Sequence, residues 1–421
     1  MKRLMLKTLV AAVAVAAFGT AQAQDKTIKF ATQNPKGHPI VLGMEKFAEI
    51  VAAKSGGKIK VNLFPGGTLG SDQANVSAIQ GGTLEMASMN SGIFASQVKE
   101  FAIYDFPFMF NNEKEADFIV DGPFGQKLHA KLQEKGIVGL AYFELGFRSI
   151  TNSKRPINTV ADLEGLKLRV IPNPINVDWV KALGANPTPL PFPEVYAALE
   201  QKAIDGQENP LTVINANKFY EVQKHLVLSN HQYNPQSVVI SKRFWDGLSA
   251  EQRKIIADAA VESAKYQREQ ARGQVAAALD NMKKGGMQVS ELSPAETERL
   301  RDRMRPVIAK YSVAVGQETM QSLQAELASL YGREILLAVS EEGGSCRITL
   351  TDATGRLTPE QRAEILRLKQ GGPLDITPKA PRGRLVVSVD EATPADIRFI
   401  GGKAAHFGFL RRTLPDESPH P

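Results

Sequence analysis

Cysteine is almost missing from this chain: Cys346 is the only one in 421 residues. A single thiol closes no internal disulfide, and C-x-x-C redox and zinc motifs are absent with it. Histidine is sparse, six in all and none in an HExxH arrangement, which excludes the common zinc hydrolase pattern. No apolar run reaches the ~20 residues that cross a bilayer as a stable anchor. Lysine and arginine are scattered among acids, so the clustered basic face of a nucleic-acid-binding protein is missing. Glycine-rich turns such as Gly66-Gly67 lack the lysine and serine of a phosphate loop.

What is present starts with an export signal. Lys2, Arg3 and Lys7 form a positive leader, Leu9 to Phe18 an apolar run, and Ala21-Gln22-Ala23 a small-residue cleavage site. The pattern predicts cleavage after Ala23, with the exported chain beginning at Gln24, and it places the protein outside the inner membrane. The formal charge of +6 includes the three leader cations, so +3 remains on the rest. About 400 residues exceed one compact core, so two or more domains are expected.

From Thr27 to about Val289 short strands alternate with helices, the pattern of an α/β protein. Ile28 and Phe30 open a strand that stops before the turn-rich NPKGHP. Met44, Phe47, Ala48 and Val51 then share one face of a helix closed by Gly56-Gly57. Ile59, Val61 and Leu63 alternate as a strand. Ser71 or Asp72 caps a helix that Gly81-Gly82 ends, and Ala102 to Phe110 reads as a strand leading into a turn. Ser249-Ala250-Glu251-Gln252 is a capping box for a helix that can exceed thirty residues, with Gly273 inside it as a possible bend. Ser293-Pro294-Ala295-Glu296 opens another, with proline where its missing N–H costs nothing.

Three stretches between Phe147 and Pro210 carry the chemistry: FRSITNSKRPI, DLEGLKLRV and EVYAALEQKAIDGQENP. They supply Arg148, Arg169 and Asn209. A guanidinium grips a carboxylate through two parallel hydrogen bonds, which lysine cannot do. Nothing nearby looks like a nucleophile with its base, so no catalytic residue is assigned. Asp205 and Glu208 form a carboxylate pair, but with no nucleophile or metal cluster beside them they read as structural, holding the loop or pairing with arginine.

Here the chain resembles the periplasmic solute-binding proteins of tripartite ATP-independent (TRAP) transporters, of the DctP type. The resemblance runs from about Thr27 to Leu330. Its markers are FPGGTLGSD, QGGTLEMASMNSG, RSITNSKRPI, DLEGLKLRV, KALGANPTPLPFPEVYAALEQKAIDGQENP and KFYEVQKHL. It implies two α/β lobes closing over an organic acid, with Arg169 on the ligand carboxylate and Arg148 and Asn209 in the same cleft. Asn173 and Phe192 are expected as polar and apolar walls, and Gln73 and His38 as further ligand-facing residues. The implied partners are the membrane subunits of a permease driven by an ion gradient. No cofactor, metal or nucleic acid is expected, and the protein is expected to be a monomer.

The expected organisation is a signal peptide over 1–23, then 24–146 as the first part of lobe I and 147–234 as the first part of lobe II. Residues 235–274 return to lobe I and 275–330 to lobe II, with the long helix from Ala250 linking the two. A small α/β extension of unassigned role follows from 331 to 421. In it, Ile335–Val339, Arg347–Leu350 and Leu385–Val389 read as strands, and Thr358 opens a short helix ending at Gly371-Gly372. FIGGKAAHFGFL, with Lys403, resembles the opening of the nucleotide-binding domain of phosphoenolpyruvate synthase-type enzymes over fewer than twenty residues, too little to build such a site. Two rivals remain: a protein presenting its ligand to a membrane sensor, and an enzyme using the tail as its catalytic module.

Overall fold

The computed structural model describes residues 26–330, 335–342 and 345–352. The chain divides into two compact units, Met1–Leu327 and Ala328–Pro421. The second contributes one described element, an antiparallel hairpin of Ile335–Glu342 with Ser345–Asp352. It contains the first two strands expected in the tail. The export segment, the helix from Thr358, the strand Leu385–Val389 and Lys403 lie outside the described residues.

The first unit is organised by one long strand. Its strands are β1 (Lys26–Thr32), β2 (Ile59–Phe64), β3 (Met86–Asn90), β4 (Ile137–Asn152) and β5 (Lys167–Val170), followed by β6 (Asn186–Pro189), β7 (Gly206–Pro210), β8 (His225–Leu228), β9 (Tyr233–Ser241) and β10 (Gln288–Glu291). The first part of β4 pairs antiparallel with β9 and completes the order β2-β1-β3-β9-β4. Its second part, Arg148–Asn152, leaves β9 and pairs with β7, and Ile150–Asn152 pair also with β8. Around that end the strands run β10-β8-β4-β7-β5-β6. Two sheets thus share β4, and the hydrogen-bonded ladder passes from one to the other without a break.

The change of partners coincides with irregular backbone. The β4–β9 register shifts between Glu144 and Gly146, and Gly146 has φ +112°, where an L side chain is strained. Gln267 covers this point. Its Oε1 accepts from the Glu144 N–H at 2.7 Å and its Nε2 donates to the Glu144 carbonyl at 2.8 Å. A buried side-chain amide therefore satisfies both backbone groups of a residue beside the bulge.

Gln267 lies on the helix Ala250–Lys284, whose 35 residues run unbroken through Gly273 from the capping box at Ser249. Its first half buries Ile256, Ala259 and Ala260 with Phe30 and Val238 of the first sheet and Phe47 of the helix Pro39–Lys54. Its far end buries Met282 with Leu199, Phe219 and Leu226 beside the second. At about 1.5–3 kcal/mol per fully buried large apolar side chain, both attachments are substantial.

Two local expectations change. Lys99–Asp105 is a 3-10 helix with Phe101, Ile103 and Tyr104 buried, where a strand was expected; a continuous apolar run does not by itself separate the two. At Ser293 the hydroxyl accepts from the Glu296 N–H, but the Glu296 carboxylate turns away from the cap to take the Val160 N–H at 2.8 Å. Half of that capping box is given to a tertiary contact.

Candidate ligand-binding site

Arg169 stands near the end of β5, the position from which open α/β sheets present ligand-binding groups. It is 2 % exposed. Its Nε donates to the carbonyl of Leu190, just beyond β6, at 2.9 Å, and the Phe192 ring lies 5.7 Å from the guanidinium carbon. Those contacts fix the plane of the fork, while its two terminal nitrogens hydrogen-bond to no protein atom. Burial lowers the guanidinium to about 10, against the pull of the Glu208 charge.

Arg148, on β4, is also fully buried, but each of its three guanidinium nitrogens hydrogen-bonds to protein. Glu208 is its diagonal neighbour on one face of the β4–β7 ladder. Arg148 Nε donates to Glu208 Oε2, and Nη2 donates to Glu208 Oε1 at 2.8 Å and to the Glu208 carbonyl at 2.5 Å. Nη1 reaches Asn234 Oδ1 at 3.3 Å. Burial alone would raise the Glu208 carboxyl; the Arg148 charge, the His231 ring 3.4 Å away and the hydrogen bonds from Arg148 bring it down to about 2. The structural reading of Glu208 as an arginine partner agrees with this geometry.

Arg148, Arg169, Asn209, Phe192 and Gln73 all line one cleft, which has room for the centre of a water molecule over about 40 Å3. Asn209 is steadied by Gln207, whose Oε1 accepts from its Nδ2 at 2.6 Å. The rest of the lining is made of residues that the sequence reading did not place there, and its polar part comes from Gln33 and Asn34 after β1, Asp72, Asn90 at the end of β3, and Asn234 and Gln236 on β9. A signal existed for the last pair. Tyr233–Ser241 is buried throughout, yet Asn234 and Gln236 recur at the two-residue period that puts side chains on one face. Asp72, one of two residues expected as the helix cap, is not the cap: Ser71 is, and its side chain accepts from the Ala74 N–H.

Asp72 is partly exposed as a residue, although its Oδ1 is enclosed. Burial raises its carboxyl to about 7, against the Arg169 charge and the Gln33 and Asn90 groups beside it.

Two candidates do not line the cleft. His38 is the N-cap of the helix Pro39–Lys54: its Nδ1 accepts from the Ile40 N–H at 3.1 Å, and burial lowers the ring to about 3. Asn173 is likewise the N-cap of the helix Pro174–Ala182. Its Nδ2 donates to Asp105 Oδ2 at 2.6 Å and to the Gly92 carbonyl at 3.2 Å, so it faces the interior behind the cleft. In both cases capping a helix takes one polar atom of the side chain, Nδ1 of His38 and Oδ1 of Asn173. His38→Ala is expected to cost about 1 kcal/mol in urea denaturation and to leave acid affinity within about twofold. A tenfold loss of affinity, about 1.4 kcal/mol, would return His38 to the site.

Among the described residues no cluster of histidine, cysteine or carboxylates could hold a metal ion, and no helix is long and apolar enough to cross a membrane.

Residues 30–313 match the family described as bacterial extracellular solute-binding protein, family 7, of the DctP type. The chain belongs to this family. The 2,3-diketo-L-gulonate-binding periplasmic protein YiaO of Escherichia coli is 39 % identical over 275 residues, 65 % of this chain and 84 % of that protein. Among solved structures, a TRAP periplasmic solute-binding protein of Ochrobactrum anthropi is 54 % identical with a TM-score of 0.66, covering 73 % of this chain and 97 % of its own. Its ligand pocket holds a C-terminus. The sugar-acid-binding protein DctPAm of Advenella mimigardefordensis, in complex with galactonate, is 39 % identical with a TM-score of 0.72, covering 73 % of this chain and 99 % of that one. The two-lobed DctP fold is therefore that of residues in the first unit, and the segment beyond 313 falls outside the family match.

Proposed function

We propose that this DctP-family protein is exported, loses its leader after Ala23, and binds an organic acid anion in the periplasm for delivery to a TRAP-type permease. One observation carries the binding step. Of two buried arginines in the cleft, Arg148 is neutralised by Glu208, whereas the Arg169 fork has no acceptor at its outer nitrogens. A carboxylate supplies two acceptors at that spacing. Asn209 and Gln73 are proposed as further polar contacts, and Phe192 as the apolar wall that keeps the fork in plane.

The two sheets that share β4 are taken as the two lobes, with the irregular stretch Glu144–Gly146 and the helix Ala250–Lys284 as their flexible and stiff connections. Closure would exclude water from the cleft and strengthen the charge-assisted bonds to the ligand. The closed, loaded form is then the one a permease distinguishes from the empty protein. The protein acts as a monomer and its role ends at holding and presenting the acid, with no chemical step assigned.

A thermal-shift screen of organic acids tests this directly. An acid present at about 100 times its dissociation constant adds roughly 2.7 kcal/mol to folding stability. The expected result is stabilisation by one chemical group of acids; no response across dicarboxylates, sugar acids, keto acids and aromatic acids would defeat the proposal. Truncation after Leu330 should leave affinity for the stabilising acid within about threefold, since every proposed contact precedes that point and distant changes are close to independent. A folded truncated protein that no longer binds would make the C-terminal extension part of the site.

A further inference from the structure

Arg169 is not the only group in the cleft that lacks a partner. Asp72, at the first turn of the helix Asp72–Gly81, lines the cleft, and its enclosed Oδ1 accepts no hydrogen bond. Gln33 donates from Nε2 to the Gly70 carbonyl at 2.9 Å, which fixes Oε1 as its acceptor end, and that oxygen is likewise enclosed and unpaired. Asn234 accepts at Oδ1 from Arg148 and Asn90, so its Nδ2 is a donor, also enclosed and unpaired. Among the enclosed atoms, the cleft therefore offers two acceptors and one donor beside the free Arg169 fork, and the amides of Gln73, Asn209 and Gln236 also line it.

The two acceptors discriminate between kinds of acid. At pH 8, where Asp72 is mainly an acceptor, an ionised dicarboxylate has no donor to give these groups, and its second charge meets no free cation: the lining holds no cation besides Arg169 and Arg148, and Glu208 occupies Arg148. A hydroxyl both donates and accepts, so hydroxyl groups along a carbon chain could serve Asp72, Gln33 and Asn234 together. A site built around buried acceptors rejects an analogue lacking the matching donor more strongly than an apolar wall rejects an extra group.

We propose that Asp72, assisted by Gln33, is the specificity-determining group of this cleft, selecting polyhydroxylated monocarboxylates of the aldonate type over unsubstituted dicarboxylates. The inference rests on the reading that the ligand carboxylate sits at Arg169.

Calorimetry at pH 8 tests it, with erythronate, gluconate and galactonate set against succinate and glutarate. The wild-type protein is expected to bind its best aldonate at least about tenfold more tightly than either dicarboxylate. Asp72→Asn, which keeps the side-chain shape and leaves the Ser71 cap in place, is expected to weaken that aldonate at least about tenfold and bring the preference below about threefold. Urea denaturation of the variant controls for folding. A wild-type preference for succinate or glutarate overturns the inference, as does an Asp72→Asn protein that keeps the full aldonate preference. Dicarboxylate binding that is lost in Arg169→Ala but unchanged in Asp72→Asn overturns it alone and leaves the carboxylate reading standing. Failure of all five acids also overturns it, and the carboxylate reading falls as well only if the broader acid screen fails.

Discussion

Arg169→Ala is expected to abolish high-affinity binding while leaving the protein folded. Removing one member of a buried charged pair costs about 2–5 kcal/mol, or roughly 30- to several-thousand-fold in affinity. Folding should tolerate the change, because in the unliganded protein the guanidinium has no carboxylate partner and its one hydrogen bond is to the Leu190 carbonyl. Arg169→Lys should recover only part of the loss, since one ammonium cannot reproduce the planar fork. Calorimetry reads the affinity and circular dichroism controls the fold. A folded Arg169→Ala protein that binds its acid within about threefold of wild type would remove the arginine from the site.

Arg148 should behave in the opposite way. It shares its buried position with Glu208, so losing either partner strands a charge in the interior, at a cost of about 3–5 kcal/mol of folding stability. Arg148→Met and Glu208→Gln are both expected to lower the urea midpoint sharply, and the double variant should lose less than the sum of the two. Acid should remove the same contribution. The Glu208 carboxyl titrates near 2 in the folded protein against an ordinary value of 4.5, so its stabilisation is present above pH 4.5 and is lost as the pH falls towards 2. Glu208→Gln should therefore flatten the stability profile between about pH 4.5 and 2. An unchanged urea midpoint in either single variant would contradict a structural role for the pair.

The strongest parts of this account were readable in the sequence because they are local. The cap at Ser249, the stripe of Met44, Phe47 and Val51, and the αL turn at Gly82 each depend on a few neighbouring residues, and each formed where expected. The pairing of Glu208 with an arginine was legible because a carboxylate with no nucleophile or metal beside it has few uses, whereas Arg169 entered through the family resemblance and the structure places it in the cleft. What sequence could not decide was competition for a side chain. His38 and Asn173 had suitable atoms at suitable turns, but helix N–H groups claimed those atoms first. Asp72, Asn90 and Asn234 come from three separate elements, a helix start and two strands, and only the fold brings them to one cleft. The sharing of β4 by two sheets was equally hidden, since the boundary expected after Gly146 falls inside a single strand whose partner changes there.

The most direct measurement compares the best-binding acid with its own carboxamide by calorimetry on the wild-type protein. The amide keeps the carbon skeleton and every hydroxyl, but it replaces a charged pair of acceptors with one neutral acceptor and a donor facing the Arg169 fork. The account predicts that the amide binds at least about 100-fold more weakly, a difference of about 2.7 kcal/mol. An amide that binds within about threefold of the acid would contradict it.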